Sequence, residues 1–332
     1  MIPMIQKLTE TPGPSGYESQ VRAAIRAEVE PYADEIRVDA LGNLIATKNQ
    51  GSTGGKKIML SAHMDEIVVI ATHVDEKGFI RFIPLGGVNR SYCIGGRVRF
   101  LNGSGGVIGI EYQEDQSKLP AFENMFIDIG ASSRENCPVR VGDVAVFDRP
   151  FSEYGDRLVA KAMDDRVGIA VLIEILRKLK GSPHQVFFVF SVQEEVGLRG
   201  ATTAAFGLEP DIGIAIDVTR SGDTPKGIRM ETALGKGPAI KVRDSGMLAD
   251  PRVVDWMVRA AEQEGLPYQM EVLEAGTTDA RAIQLSRAGV PAGCLSIPCR
   301  YIHAPSEMVD TNDVQNGVRL LQALLSQPAQ WE

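Results

Sequence analysis

Residues 185–195 read Gln185-Val186-Phe187-Phe188-Val189-Phe190-Ser191-Val192-Gln193-Glu194-Glu195. A short, nearly unbroken run of aromatic and β-branched side chains reads as a strand buried on both faces. Strands of that kind sit in sheets covered by helices, so the segment points to an α/β domain. The flanking sequence agrees. Residues 167–180 pattern as an apolar helix closed by Gly181, residues 57–62 as a second buried strand, and residues 212–218 as a third. A helix over 251–264 has Pro251 at its first turn and Gly265 just past its end. A helix over 280–288, a strand over 292–297 and a helix over 314–325 complete the alternation. Nearer the N-terminus, Ser15 and Glu18 have the spacing of a capping box ahead of Val21, Ala24, Ile25 and Val29. Gly42-Asn43 splits the strand-like residues 36–47 into a hairpin.

Between residues 67 and 156 the texture changes. Short alternating segments at 79–83, 97–101, 107–110 and 141–147 are separated by Gly-rich turns, with no helical pattern between them. They predict a small β-barrel or sandwich. The expected organisation is a catalytic α/β domain from residues 1–66 and 157–332, with residues 67–156 inserted as a β-rich domain. A chain of 332 residues suits two domains of about 150 residues each.

The composition, 44% hydrophobic and 23% charged, is that of an ordinary globular protein. A net charge of −8 argues against nucleic acid as a partner, because phosphate neutralisation needs clustered Lys and Arg. No apolar run approaches the roughly 18 residues of a membrane span, so no membrane partner is expected either. Residues 1–10 lack the apolar core of an export signal. Cys93, Cys137, Cys294 and Cys299 form no CxxC pair and read as reduced thiols of a cytoplasmic enzyme.

The chemistry gathers at strand ends. Residues 57–62 lead to His63 and Asp65, residues 185–192 to Glu194 and Glu195, and residues 212–216 to Asp217. The strand over 292–297 leads to a loop holding His303, and Asp164-Asp165 open the helix over 167–180. In α/β sheets ligands bind beyond the carboxyl ends of the strands, so these segments deliver imidazole and carboxylate groups to one edge. Such groups are normal ligands of Zn²⁺ and related ions, and one Asp can bridge two of them. Two ions about 3.5–4 Å apart polarise a carbonyl and activate a water together. Each residue alone has a plainer reading. A strand-end His is usually structural, Asp164-Asp165 suit a helix N-terminus, and Glu194-Glu195 suit a solvated strand end. Their joint occurrence in a chain with four histidines favours a metal site. His73 and His184 lack acidic settings and read as surface or packing residues.

Other motifs are weak. No GxSxG elbow offers a serine nucleophile, and Gly103-Ser104-Gly105-Gly106 reads as a turn, not a dinucleotide loop. Cys294 and Cys299 flank a strand and read as buried. Arg220, Lys226, Arg229, Lys236 and Lys241 read as a solvated basic loop.

Taken together, Pro14-Ser15-Gly16-Tyr17-Glu18, Ala62-His63-Met64-Asp65-Glu66, Ala162-Met163-Asp164-Asp165-Arg166, Glu194-Glu195-Val196-Gly197, Asp217-Val218-Thr219, Gly276-Thr277-Thr278-Asp279-Ala280 and Arg300-Tyr301-Ile302-His303 resemble the tetrahedral (TET) aminopeptidases. These are co-catalytic metallopeptidases, some labelled deblocking or glutamyl aminopeptidase and some cellulase M. The motifs span nearly the whole chain in the family's order. The resemblance implies a peptidase α/β domain with a mixed central sheet, an inserted β-barrel-like domain, peptide substrates, and two divalent ions, Zn²⁺ or Co²⁺. Carried over by position, His63 and Asp217 would hold one ion, Glu195 and His303 the other, and Asp164 would bridge them. Glu194 would be the general base, and Asp65 would orient the His63 imidazole. The Asp164–Asp165 peptide would be cis.

A homo-oligomer is implied too, a twelve-subunit hollow tetrahedron built from dimers. An inward-pointing Arg220, Lys226 or Arg229 would favour an acidic first residue. Residues Ile110-Glu111-Tyr112-Gln113-Glu114-Asp115 depart from the Pro/His-containing loop of many members, which bears on that loop alone. Two rival readings are weaker. A glycoside hydrolase normally uses two carboxylates and no metal, which the two histidines oppose. A non-catalytic scaffold of the same fold is opposed by the intact ligand set and Glu194.

Overall fold

A computed structural model describes residues 1–49, 55–115 and 117–329. Helices α1 (Ile2–Glu10) and α2 (Ser19–Val29) lead into the hairpin β1 (Glu35–Val38) and β2 (Leu44–Lys48), then β3 (Lys57–His63). Next come β4 (Val68–Val74), β5 (Ile80–Leu85), β6 (Arg97–Phe100), β7 (Gly105–Ile110), β8 (Met125–Asp128) and β9 (Val144–Phe147). Strands β10 (Ser152–Tyr154) and β11 (Arg157–Ala160) precede α3 (Met163–Lys178), β12 (Gln185–Ser191), α4 (Arg199–Leu208) and β13 (Ile212–Arg220). The chain ends with β14 (Ala239–Arg243), α5 (Pro251–Gln263), β15 (Gln269–Val272), α6 (Asp279–Gln284), β16 (Ala292–Arg300), β17 (Glu307–Asp310) and α7 (Thr311–Leu325).

The architecture is the expected mixed α/β with a closed barrel. An 11-stranded mixed sheet runs β1-β2-β12-β3-β13-β16-β17-β11-β10, with β14 joined to β16 and carrying β15. At its centre β12, β3, β13 and β16 are mutually parallel. Their carboxyl ends therefore open on one edge. Strand β12 shows why this sheet is buried on both sides. Val186, Phe188 and Phe190 enter the main core with Leu172 and Ile175 of α3, whereas Phe187 and Val189 meet Ala204, Ala205 and Leu208 of α4. Each such Phe contributes roughly 1.5–3 kcal/mol by leaving water.

Strands β4-β5-β8-β7-β6-β9 close into a separate barrel. Alternate residues such as Val69, Ala71, Phe82, Val98, Phe100, Ile127 and Phe147 fill it, forming an apolar cluster distinct from the main core.

Several local expectations are corrected. Ser15 and Glu18 make no capping box: Ser15 Oγ donates to Asp65, and Glu18 Oε1 accepts from the Gly16 and Gln193 amides. Tertiary partners have taken both side chains. Strand β12 stops at Ser191, because Gln193 has φ +56 and leaves extended backbone; Glu194 and Glu195 lie in a turn, not on a strand end. The helix expected over 280–288, α6, stops at Gln284, and Arg287, at φ +51, is outside it. Lys241 is not a loop residue at all. It lies in β14, buried, with its ammonium 3.3 Å from Glu271.

Candidate active site

Parallel β3 and β12 are in register so that His63 stands opposite Ser191, two residues before the turn holding Glu194. Asp217 lies in β13, and His303 follows β16 in a loop where Tyr301 and His303 have positive φ. Asp164 begins the helical segment after β11, and the Asp164–Asp165 peptide is cis. All seven expected site residues, His63, Asp65, Asp164, Glu194, Glu195, Asp217 and His303, thus meet at one sheet edge. Five of them, Asp164, Glu194, Glu195, Asp217 and His303, line a cavity of about 930 Å³.

The atoms that face inward are the ones a metal would use. His63 Nε2 is 3.0 Å from Asp164 Oδ1, and His303 Nε2 is 3.5 Å from Asp164 Oδ2 and 3.3 Å from Glu195 Oε2. Asp164 therefore turns one carboxylate oxygen toward each imidazole. Donor atoms of His63, Asp164 and Asp217 lie within 4.8 Å of one another, as do those of Asp164, Glu195 and His303. A third set, His63, Glu194 and Glu195, meets the same limit. This mixture of imidazole and carboxylate donors fits divalent ions of the zinc type.

Main-chain anchors hold the array. The Asp65 carboxylate is fully buried and accepts from the Glu194 amide at 2.9 Å, the Glu195 amide at 3.2 Å and Ser15 Oγ at 2.6 Å. Its backbone carbonyl accepts from His63 Nδ1 at 3.0 Å, with the carboxylate farther away at 3.4 Å. That bond fixes the tautomer and leaves Nε2 free to ligate. Asp65 thus reaches His63 mainly through its carbonyl, while its carboxylate orders the glutamate turn. Asn43, also fully buried, accepts from the Val192 amide at 3.0 Å and donates to the Gly200 carbonyl, securing both ends of that turn.

The electrostatics describe a site short of positive charge. Burial pushes Glu194 well above the usual carboxylate range, and Asp217, Glu195 and Asp279 push it further. Burial and Asp164 do the same to Asp217. Burial disfavours charged His303, but the hydrogen bonds it donates to Asp164 and Glu195 overcome that and carry its pKa to about 12. Burial likewise opposes the Asp164 carboxylate, yet the His303 and His63 hydrogen bonds hold it well below its ordinary value. Buried like charges at this spacing favour protons or cations among them.

Residues that the sequence reading left unassigned also stand here. Glu307 accepts from the amides of Asp164 and His303. Asp279, in the Gly276-Thr277-Thr278-Asp279-Ala280 motif, accepts from Ser61 and Ser191 at 2.6 Å each and so ties β3 to β12. The only sequence signals were an acid four residues past His303 and an acid inside a quoted motif. Of the basic run, Arg220 and Lys241 border the cavity; Lys226 and Arg229 are exposed and not among its walls. His184 packs between the Lys56 amide and the Gln327 carbonyl, and His73 is exposed, as expected. Cys294 and Cys299 are buried in β16, and all four cysteines are free.

Comparison with known proteins gives the same assignment. The family model described as M42 glutamyl aminopeptidase matches residues 42–320. The lysyl aminopeptidase of Pyrococcus furiosus is 35% identical, over 98% of this chain and 96% of its own. Aminopeptidase APDkam598 of Desulfurococcus kamchatkensis is 43% identical with a TM-score of 0.94, over 98% of this chain and 94% of its own. The TET1 peptidase of Pyrococcus horikoshii, which can assemble into a tetrahedron or a large octahedral shell, is 33% identical with a TM-score of 0.88, over 98% and 99%. The chain belongs to the M42 glutamyl aminopeptidase family and is a peptide-bond hydrolase.

Proposed function

We propose that this aminopeptidase removes N-terminal residues from peptides with two divalent ions, Zn²⁺ or Co²⁺, bound at the sheet edge. His63 and Asp217 would hold one ion, Glu195 and His303 the other, and Asp164 both. The observation that carries this reading is the Asp164 carboxylate, with one oxygen toward each imidazole. When bound, the ions supply Lewis-acid polarisation of the scissile carbonyl and lower the pKa of a water. Glu194 takes the attacking water's proton and passes it to the leaving amine. The buried, acid-crowded surroundings of Glu194 raise its proton affinity and suit that task. Asp65 acts as a positioning residue, holding His63 through its carbonyl and both glutamate amides through its carboxylate.

Separate apolar clusters support taking residues 67–156 as an inserted domain beside a catalytic body of residues 1–66 and 157–332. The behaviour of the TET1 relative supports a twelve-chain tetrahedral particle, and four free thiols suit a reducing cytoplasm. The test is hydrolysis of aminoacyl anilides before and after chelation, with an N-acetylated control. Activity should vanish with chelator, return with Zn²⁺ or Co²⁺, and be absent on the acetylated substrate. Chelator-resistant hydrolysis would sink the metal reading, and cleavage of the blocked substrate would sink the aminopeptidase one.

A further inference from the structure

Glu307 and Gly87, both outside the proposed ligand set, touch the half of the site that His303 completes. Glu307, at the start of β17, is 1% exposed. Its Oε1 accepts from the His303 amide at 2.7 Å and its Oε2 from the Asp164 amide at 3.0 Å. One carboxylate therefore joins the head of α3 to the loop after β16, and it supports His303 at φ +64, a conformation that non-glycine residues seldom hold unaided. The barrel contributes as well. Gly87, in the loop leaving β5, lies so close to the imidazole that an added methyl group would overlap His303 Nδ1. A methyl group on the adjacent Gly86 would sit 3.3 Å from Glu195 Cβ. The His63–Asp164–Asp217 set shares Asp164, but its other two ligands are anchored differently, by Asp65 on His63 and by strand β13 on Asp217. Glu307 thus reaches that set through one ligand and the His303 pocket through two.

We propose that Glu307 and Gly87 are positioning residues for the Asp164–Glu195–His303 pocket, which the large sheet and the barrel build jointly, and that they set the affinity of that pocket selectively. The proposal rests on the ligand assignment given under Proposed function. Glu307 acts because a carboxylate can accept from both amides at once. A glutamine of the same shape presents an NH₂ group to one of them, leaving that N–H facing a donor. Gly87 acts because only a residue without Cβ lets the barrel loop close on the ring. Loss of such outer partners typically weakens metal binding 10–100-fold.

The experiment is a titration of the metal-free full-length chain with Zn²⁺, followed by calorimetry and by elemental analysis after dialysis. Wild type, Glu307→Gln and Gly87→Ala are compared, and thermal melts of the metal-free proteins monitor folding. Wild type should bind two ions per chain. Both variants should bind the second ion about 10–100-fold more weakly. Gly87→Ala should keep the first with affinity near wild type, and Glu307→Gln, which also touches the shared Asp164, should weaken the first less than the second. Peptidase kcat should return in excess metal with KM unchanged. Two ions bound with wild-type affinities in either variant overturns the proposal, and so does equal weakening of both ions. Should Glu307→Gln fail to fold, Gly87→Ala, on a separate element, decides alone. A wild-type chain binding fewer than two ions refutes the two-ion reading itself, and this inference with it.

Discussion

Glu194 and Glu195 are neighbours in the chain with different partners in space. Glu194 Oε2 is 4.0 Å from His63 Nε2, and Glu195 Oε2 is 3.3 Å from His303 Nε2. Strand alternation would have separated them, but the separation comes from the turn after Gln193, held by Asp65. Glu194→Gln keeps shape and hydrogen bonding but cannot take a proton. It is expected to retain both ions while kcat falls about 10²–10⁴-fold. Glu195→Gln removes a ligating charge, so its main defect should be metal loss, partly reversed by excess metal. Elemental analysis beside kcat separates them; a metal-depleted Glu194→Gln with a metal-replete but inactive Glu195→Gln would reverse the roles. The site residues other than Asp164 were legible because chemical side chains followed apolar runs. Glu307 was not, because no side-chain pattern marks an acid whose partners are two main-chain amides, one four residues away and one on a distant segment.

At the level of elements, the buried parallel strands were the most legible feature, since burial on both faces demands continuous apolar runs. Helix α4 was not. Its sequence, Arg-Gly-Ala-Thr-Thr-Ala-Ala-Phe-Gly-Leu, carries little apolar periodicity, and small residues let it pack on β12. Strand β17 was equally hidden, being four residues paired to β11 and β16. The end of β16 shows how a strand is tied where a functional loop departs. Arg300 donates to both Asp223 oxygens, at 2.9 and 2.7 Å, and holds the Asp223 pKa at about 2. A carboxyl depressed on folding stabilises the protein above its unfolded pKa near 4, and that contribution is lost as pH falls toward 2. The urea midpoint of wild type minus that of Asp223→Asn should therefore be flat from neutral pH to about pH 4.5 and shrink below it. A difference that grows on acidification would contradict this account.

Across the whole molecule, the N-terminal helix is bound to the site by a buried charge cluster. Arg166 is fully buried and donates to the carbonyls of Leu8, Thr11 and Met64. Glu66 receives Lys161 at 2.6 Å, the Gly13 amide at 3.0 Å and the Arg166 guanidinium at 3.5 Å. Arg166→Met leaves three carbonyls without a donor and Glu66 short of one cation. A loss of about 3–5 kcal/mol is expected, read as a lower urea midpoint at unchanged slope. A variant within about 0.5 kcal/mol of wild type would show that this cluster is not structural. The proposed particle is tested by sedimentation, which should give one species near twelve chain masses. A fully active monomer would exclude it.

What the sequence alone determined about this protein was the kind of fold, the interruption of an α/β pattern by a barrel, and a family of metallopeptidases. Periodicity and burial are local demands, and ligand chemistry needs particular side chains in a particular order. Only the tertiary structure decided that Asp65 and Glu307 each grip two amides of the site, that Lys241 is a buried cation, and that a barrel glycine closes on His303. Most of those contacts join segments far apart in the chain. The partners of Asp65 and Glu307 are backbone amides, atoms common to every residue, so no pattern of side chains could have announced them.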